Sequence, residues 1–284
     1  MAAAAAEGAG AEAPYEARLA LARFLVGSRL PHEAVGVLNA LARSDPRRLD
    51  DAEFRGLRGA AKAMMGRDKE AEGDLAVPAL AADPASALWR GLIAQRLGDP
   101  ARAREQFAQG ARAAPLFDPS LRLVFERAQA EAALAGGDLP GAARALAAAA
   151  AEPADGVERS RTALLQARLL EAQGRRSEAA ALYARLARAP TEAVAAPALL
   201  RLTQLQLEAG TVQPAAAART FGALRWRWRG DETEVEAARA LGRVELAQGR
   251  WREALGAYRA IARGLPDTPA ATALLADQAA AFRQ

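Results

Sequence analysis

The sequence predicts an all-α fold, an α-solenoid of about seven stacked helical hairpins with a C-terminal capping helix. Three observations predict it. An alanine recurs at Ala34, Ala71, Ala103, Ala142, Ala179, Ala217 and Ala254, with gaps of 37, 32, 39, 37, 38 and 37 residues. A glycine usually stands a few residues before it, and a bulky side chain four residues after it. The composition agrees: aromatics make up only 5%, Val, Ile and Thr are sparse, and alanine dominates the apolar share. Alanine has the highest helix propensity, and its small side chain lets helices approach closely. Self-similarity at this period marks hairpins that bury their apolar faces by stacking on their neighbours.

The elements follow in order. Residues 1–14 form an Ala/Gly/Glu tract without the basic start and Leu-rich core of a signal peptide, so a disordered tail is expected there. The first hairpin carries Leu21, Ala34, Leu38 and Pro46; the second carries Gly59, Gly66, Ala71 and Leu75 and closes at Asp83-Pro84. The third carries Gly91, Gly98, Ala103, Phe107 and Pro115. The fourth, with Gly137, Ala142 and Leu146, is degenerate and very rich in alanine. The fifth carries Ala167, Gly174, Ala179, Tyr183 and Pro190; the sixth, with Gly210, Ala217 and Phe221, has about two extra residues in its turn.

The seventh unit is the clearest. Leu241 and Gly242 lie in a first helix that Gly249 ends, and Ala254, Tyr258, Ile261 and Ala262 share one face of a second helix that Pro266 stops. This resembles the tetratricopeptide repeat, with Leu-Gly in helix A, then an alanine, an aromatic and another small residue in helix B, then proline. Gly242 and Ala254 are small where the two helices cross, Tyr258 is expected to fill the gap towards the next hairpin, and Pro266 blocks further helix. The resemblance covers residues 15–266 and implies a right-handed solenoid. The chain departs from the family pattern in a period nearer 37 than about 34, in missing most helix A aromatics, and in one spacing of 32. A more divergent relative with slightly longer helices fits these departures. Residues 267–284 hold apolar Leu274, Leu275 and Phe282 with no partner helix after them. They form either a capping helix or the start of a further repeat.

Composition and motifs argue against an enzyme. Cysteine is absent, and the single histidine, His32, sits beside Glu33 at the start of a second helix, where a surface position is expected. A typical zinc site is therefore not available, and neither a metal nor a cofactor is expected. No phosphate loop or nucleophile elbow occurs, and Gly8-Ala9-Gly10 precedes no strand. Aspartates cluster in Asp45-Pro46, Asp83-Pro84, Asp99-Pro100 and Asp118-Pro119, which suits capping and turn initiation. No apolar run approaches the ~20 residues that span a bilayer. The net charge is +4, and all but Lys62 and Lys69 of the 38 basic residues are arginine. Arginines interleaved with glutamates along helices form solvated pairs rather than the concentrated basic stripe of a nucleic-acid binder.

Two features stand outside the repeat. The segment Leu224 to Asp231 places Trp226 and Trp228 among Arg225, Arg227 and Arg229. The tryptophans either plug the junction of the sixth and seventh hairpins, with arginines stacked on them, or contact a partner. In tetratricopeptide arrays helix A lines the concave face. That register implies Arg96, Arg127, Arg161, Arg168, Arg239 and Arg243 there, a row that fits an acidic peptide by bidentate pairing. The family's carboxylate clamp uses Lys and Asn, and the one asparagine, Asn39, lies in a second helix; that clamp does not apply. The sequence thus points to a non-catalytic scaffold of bacterial type that binds a protein or peptide on the concave helix A face. An architectural spacer within a larger multi-repeat envelope protein is the alternative, and a nucleic-acid or regulatory module a weaker one. The cytoplasm is the default location, and the periplasm or envelope the location if the chain is a fragment.

Overall fold

The computed structural model describes residues 15–229, 231–262 and 269–282. The expected tail over 1–14 and the stop at Pro266 lie outside the described residues. Fifteen α-helices and no strand are found among them. They pair as α1 (Tyr15–Gly27) with α2 (Pro31–Ser44), α3 (Ala52–Met64) with α4 (Asp68–Leu75), α5 (Pro84–Arg96) with α6 (Pro100–Gly110), and α7 (Pro119–Ala135) with α8 (Leu139–Ala151). Next come α9 (Gly156–Ala172) with α10 (Arg176–Leu186), α11 (Glu192–Glu208) with α12 (Pro214–Arg227), and α13 (Glu232–Ala247) with α14 (Trp251–Ala262). A last helix, α15 (Pro269–Ala281), follows.

The chain forms two compact units, Met1–Pro153 and Ala154–Gln284. In each, every odd-numbered helix A packs on its own helix B and on the next helix A, while helix B packs on the next helix A. This is the stacking of a tetratricopeptide-like α-solenoid, and the fold is all-α. Helix α15 packs on α13 and α14, as each helix A does on the hairpin before it.

Local chemistry sets the helix ends. The side chains of Asp51, Asp83, Asp99, Asp118, Asp138, Asp155 and Asp231 each accept a backbone N–H in the first turn of the helix they precede. The Asp-Pro pairs therefore open helices: Asp83-Pro84, Asp99-Pro100 and Asp118-Pro119 start α5, α6 and α7, and Asp45-Pro46 starts a short 3-10 turn. Between helices A and B the chain turns through a left-handed residue. That residue is Gly66, Gly98, Gly137, Gly174, Gly210 or Gly249, with φ from 68° to 81°, but in the first hairpin it is Arg29, with φ 59°.

The two helices of a hairpin approach closely because a small residue in helix A faces a large one in helix B. A Cβ built on Gly59 would fall 2.6 Å from Leu75, and one on Gly91 would fall 3.0 Å from the Phe107 ring. One on Gly242 would overlap the Tyr258 ring outright. Each pair is separated by 16 residues, a spacing repeated by Ala22 with Leu38, Ala130 with Leu146 and Ala167 with Tyr183. Thr203 and Phe221, in the hairpin with the longer turn, stand 18 apart. All of these residues are buried. Tyr258 therefore fills the crossing within its own hairpin, and its cluster also takes in Leu274 of α15. The short gap of 32 arises because α4 has only 8 residues, against 14 in α2, while α5 and α3 both have 13.

Buried charges fasten the second and third hairpins. Asp74 is almost inaccessible and meets Arg58 at 2.6 and 2.9 Å, Lys62 at 2.8 Å and Arg55 at 3.3 Å. Burial alone would raise its pKa, but the hydrogen bonds from Arg58 and Lys62 outweigh that and hold the carboxyl below its usual range. The buried Arg90 donates to the carbonyls of Leu80 at 2.9 Å and Ala81 at 3.2 Å and to Gln106 at 2.6 Å.

Candidate functional site

In the first unit the A helices leave an open, mainly apolar hollow of about 600 Å³. Its wall comprises Val26 of α1, Leu57, Ala60 and Met64 of α3, Trp89 of α5, and Leu121 of α7. Leu116 and Phe117, in the connection before α7, close one side. The position of each wall residue follows from the repeat. Successive A helices lie side by side, so residues at similar heights on α3, α5 and α7 face one space. Two of the hollow's lining rings, Trp89 and Phe117, meet each other and Phe125 edge-on, with centroid separations of 5.0 to 6.1 Å. Leu116 is 82% exposed at the rim, the highest exposure of any large apolar side chain among the described residues.

The charged groups lining this hollow are Glu53, Asp83 and Asp118, and no lysine or arginine among the described residues lines it. Glu53 pairs with Arg23 of α1, whose Nη2 donates to Oε2 at 2.8 Å; that hydrogen bonding holds the carboxyl low. Asp83 accepts the Ser86 amide at 2.8 Å. Asp118 accepts the Ser120 amide at 3.0 Å, the Ser120 hydroxyl at 2.6 Å and the Leu121 amide at 3.2 Å. Its burial opposes ionisation, but these bonds and the Arg29 charge keep it below the usual carboxylate range. The Arg29 Nη2 donates to Asp118 Oδ1 at 3.0 Å, which joins the turn of the first hairpin to the N-cap of α7. A second hollow of about 230 Å³ adjoins, lined by Arg29, Pro31, Met64, Trp89, Leu92, Arg96, Leu121 and Val124.

The arginines expected on the helix A face are mostly engaged within the fold. Arg96 borders the smaller hollow and donates to the Ala63 carbonyl at 2.7 Å and to Asp68 at 3.2 Å. Arg127 is half-buried on α7. On α9, Arg161 pairs with Glu158 at 2.9 Å and Arg168 is exposed. On α13, Arg239 pairs with Glu236 and with Asp277 at 2.9 Å, and Arg243 with Asp277 at 3.1 Å. The set is thus divided between the two units. The tryptophans also part company. Trp228 is half-buried against the cluster of the sixth and seventh hairpins and donates Nε1–H to Asp231 at 2.5 Å. Trp226 is 75% exposed, with the Arg229 guanidinium 5.8 Å from its ring centroid. Trp228 thus sits against the junction and Trp226 does not, and the arginine contact falls on Trp226.

Sequence reasoning missed the hollow. Its wall residues are ordinary aliphatic and aromatic types; Leu57 and Trp89 share one repeat position, two before the crossing glycines Gly59 and Gly91, but Leu116 and Phe117 lie in a connection. One signal was available: the position five residues before the recurrent alanine is glycine in five units and Arg29 in the first.

No protein-family model and no curated protein matches the chain. Among solved structures it is similar to the crystal structure of the P58(IPK) TPR domain, at 16% identity and a TM-score of 0.32, covering 95% of this chain and 98% of that one.

Proposed function

We propose that this protein is a non-catalytic interaction scaffold and that the helix A side of its first unit receives a segment of a protein partner. The observation that supports this best is the apolar hollow walled by α1, α3, α5 and α7, with Leu116 exposed at its rim. Its volume is that of a binding cleft, roughly 300–1,000 Å³, and successive helices present it as a groove suited to an extended or helical segment. Among the described residues no group of three or more His, Cys, Asp or Glu is placed to hold a metal ion, and no helix is long and apolar enough to cross a membrane. From the expected arginine set we propose Arg96, which borders the smaller hollow, as the residue that touches a segment in this region. For Trp226 we propose a separate contact on the second unit, since an exposed indole backed by Arg229 offers an amphipathic surface.

Photo-crosslinking tests the assignment. With p-benzoylphenylalanine in place of Leu116 in the full chain, irradiation in its native cell should give a discrete adduct, whereas the same replacement at exposed Arg185 on α10 should give none. No adduct from position 116, or equal adducts from both positions, would rule out the hollow as the docking site.

A further inference from the structure

The hollow is acid-rimmed, and the chain itself supplies the cations that reach its rim, Arg23 on Glu53 and Arg29 on Asp118. We propose, resting on the docking reading above, that it accepts a segment carrying a bulky apolar side chain beside a lysine or arginine. The ligand's cation takes the place of Arg29 on Asp118, so Arg29 acts as an internal competitor.

Three observations carry this. First, among the described residues the charged groups lining the hollow are Glu53, which Arg23 already holds, and Asp83 and Asp118, so a cation on the ligand is electrostatically complementary and an anion is not. Second, Arg29 stands where the other six hairpins have glycine, in a left-handed conformation that disfavours a side chain. The turn itself therefore does not explain an arginine; its side chain does, and that side chain reaches Asp118 across 89 positions of sequence. Third, the Arg29–Asp118 pair is made to be exchanged. Both side chains are 43% exposed, so the pair is weakly held, whereas Asp118 is fixed independently by the Ser120 and Leu121 amides and stays in place when Arg29 leaves.

The test uses the full chain and a random dodecapeptide library displayed on phage. Selection is on wild type, with sequences that also bind a Leu57→Ser, Leu116→Ser variant removed. The hollow-dependent sequences should pair an apolar residue with Lys or Arg. The best of them, made as a soluble peptide, should bind the Arg29→Gly variant about two- to fivefold more tightly, the factor expected for removing an exposed competing pair. Arg29→Gly restores the residue of the other turns, so its fold is safe. Asp118→Asn, which preserves a good N-cap, should weaken the peptide and abolish its preference for Lys over an uncharged side chain of similar length. Hollow-dependent sequences that are acidic or uncharged, or an affinity unmoved by Arg29→Gly, would overturn the cation assignment while leaving docking intact. Recovery of no hollow-dependent sequence would overturn both.

Discussion

The ring of Tyr258 lies directly on the Cα of Gly242, sixteen residues earlier in the chain, with no room for a Cβ between them. The same relation links Gly59 to Leu75 and Gly91 to Phe107. It sets how near the two helices of a hairpin approach, and so explains why the repeat alternates small and bulky residues.

Gly242→Ala should therefore overpack the seventh hairpin and cost about 1–3 kcal/mol, read as a fall in the denaturant midpoint. Combining it with Tyr258→Leu should cost less than the two single losses added together, because the second change removes the atoms that the new methyl meets. Full additivity would show that the crossing is not set by this contact.

Asp74 is the buried anion of the second hairpin. Asp74→Asn leaves the buried Arg58 without a counter-charge, and Lys62 with only its 3.7 Å contact to Glu70, and should cost about 3–5 kcal/mol at neutral pH. The folded carboxyl titrates below its ordinary value, so its contribution is present above the unfolded pKa of about 4 and is lost as pH falls through the folded one. Melting curves of wild type and Asp74→Asn should accordingly converge as the pH is lowered below about 4. A gap that stays constant down to pH ~2 would contradict the assignment.

The two tryptophans of the Trp-Arg segment should behave differently. Trp228 packs on the sixth and seventh hairpins and bonds Asp231, so Trp228→Ala should cost about 2 kcal/mol, less than the ~3–5 for a fully buried aromatic. Trp226→Ala should leave the melting temperature unchanged and alter only partner binding. Equal thermal losses would show that both tryptophans are structural.

The hairpin turns give a fourth check. Gly137 adopts φ 72° with open space around it, so Gly137→Ala should cost about 1–2 kcal/mol from backbone conformation alone. Arg29→Gly should be neutral or slightly stabilising, since relief of the same conformation offsets an exposed ion pair worth about 0–1 kcal/mol.

These results mark what was legible in the sequence. The hairpins were, because Ala34 to Ala254 and their companions encode packing at a fixed period, and tandem stacking follows from that period. The arginine face was not, because a sequence does not show which charge an arginine meets one hairpin away. Arg23 with Glu53, Arg102 with Glu72, Arg122 with Glu152 and Arg201 with Glu171 all pair across 30 positions. A single helical pattern gives no hint of that separation. The hollow was hidden for a related reason. Leu57, Trp89 and Leu116 belong to three elements that only the stacking brings together, and each alone reads as an ordinary core or linker residue. Arg29 was visible as an exception to the glycine pattern, but its partner Asp118 was not.

The central claim is that the first unit binds through its apolar, acid-rimmed hollow rather than through the row of arginines. The most direct measurement is the Kd of the hollow-selected peptide for wild type, for Leu57→Ser with Leu116→Ser, and for Arg127→Glu with Arg168→Glu and Arg243→Glu. The account predicts a loss of about tenfold or more, at least ~1.4 kcal/mol, from the leucine variant and no more than a twofold change from the arginine variant. An affinity that survives the leucine changes and collapses with the arginine ones would contradict it.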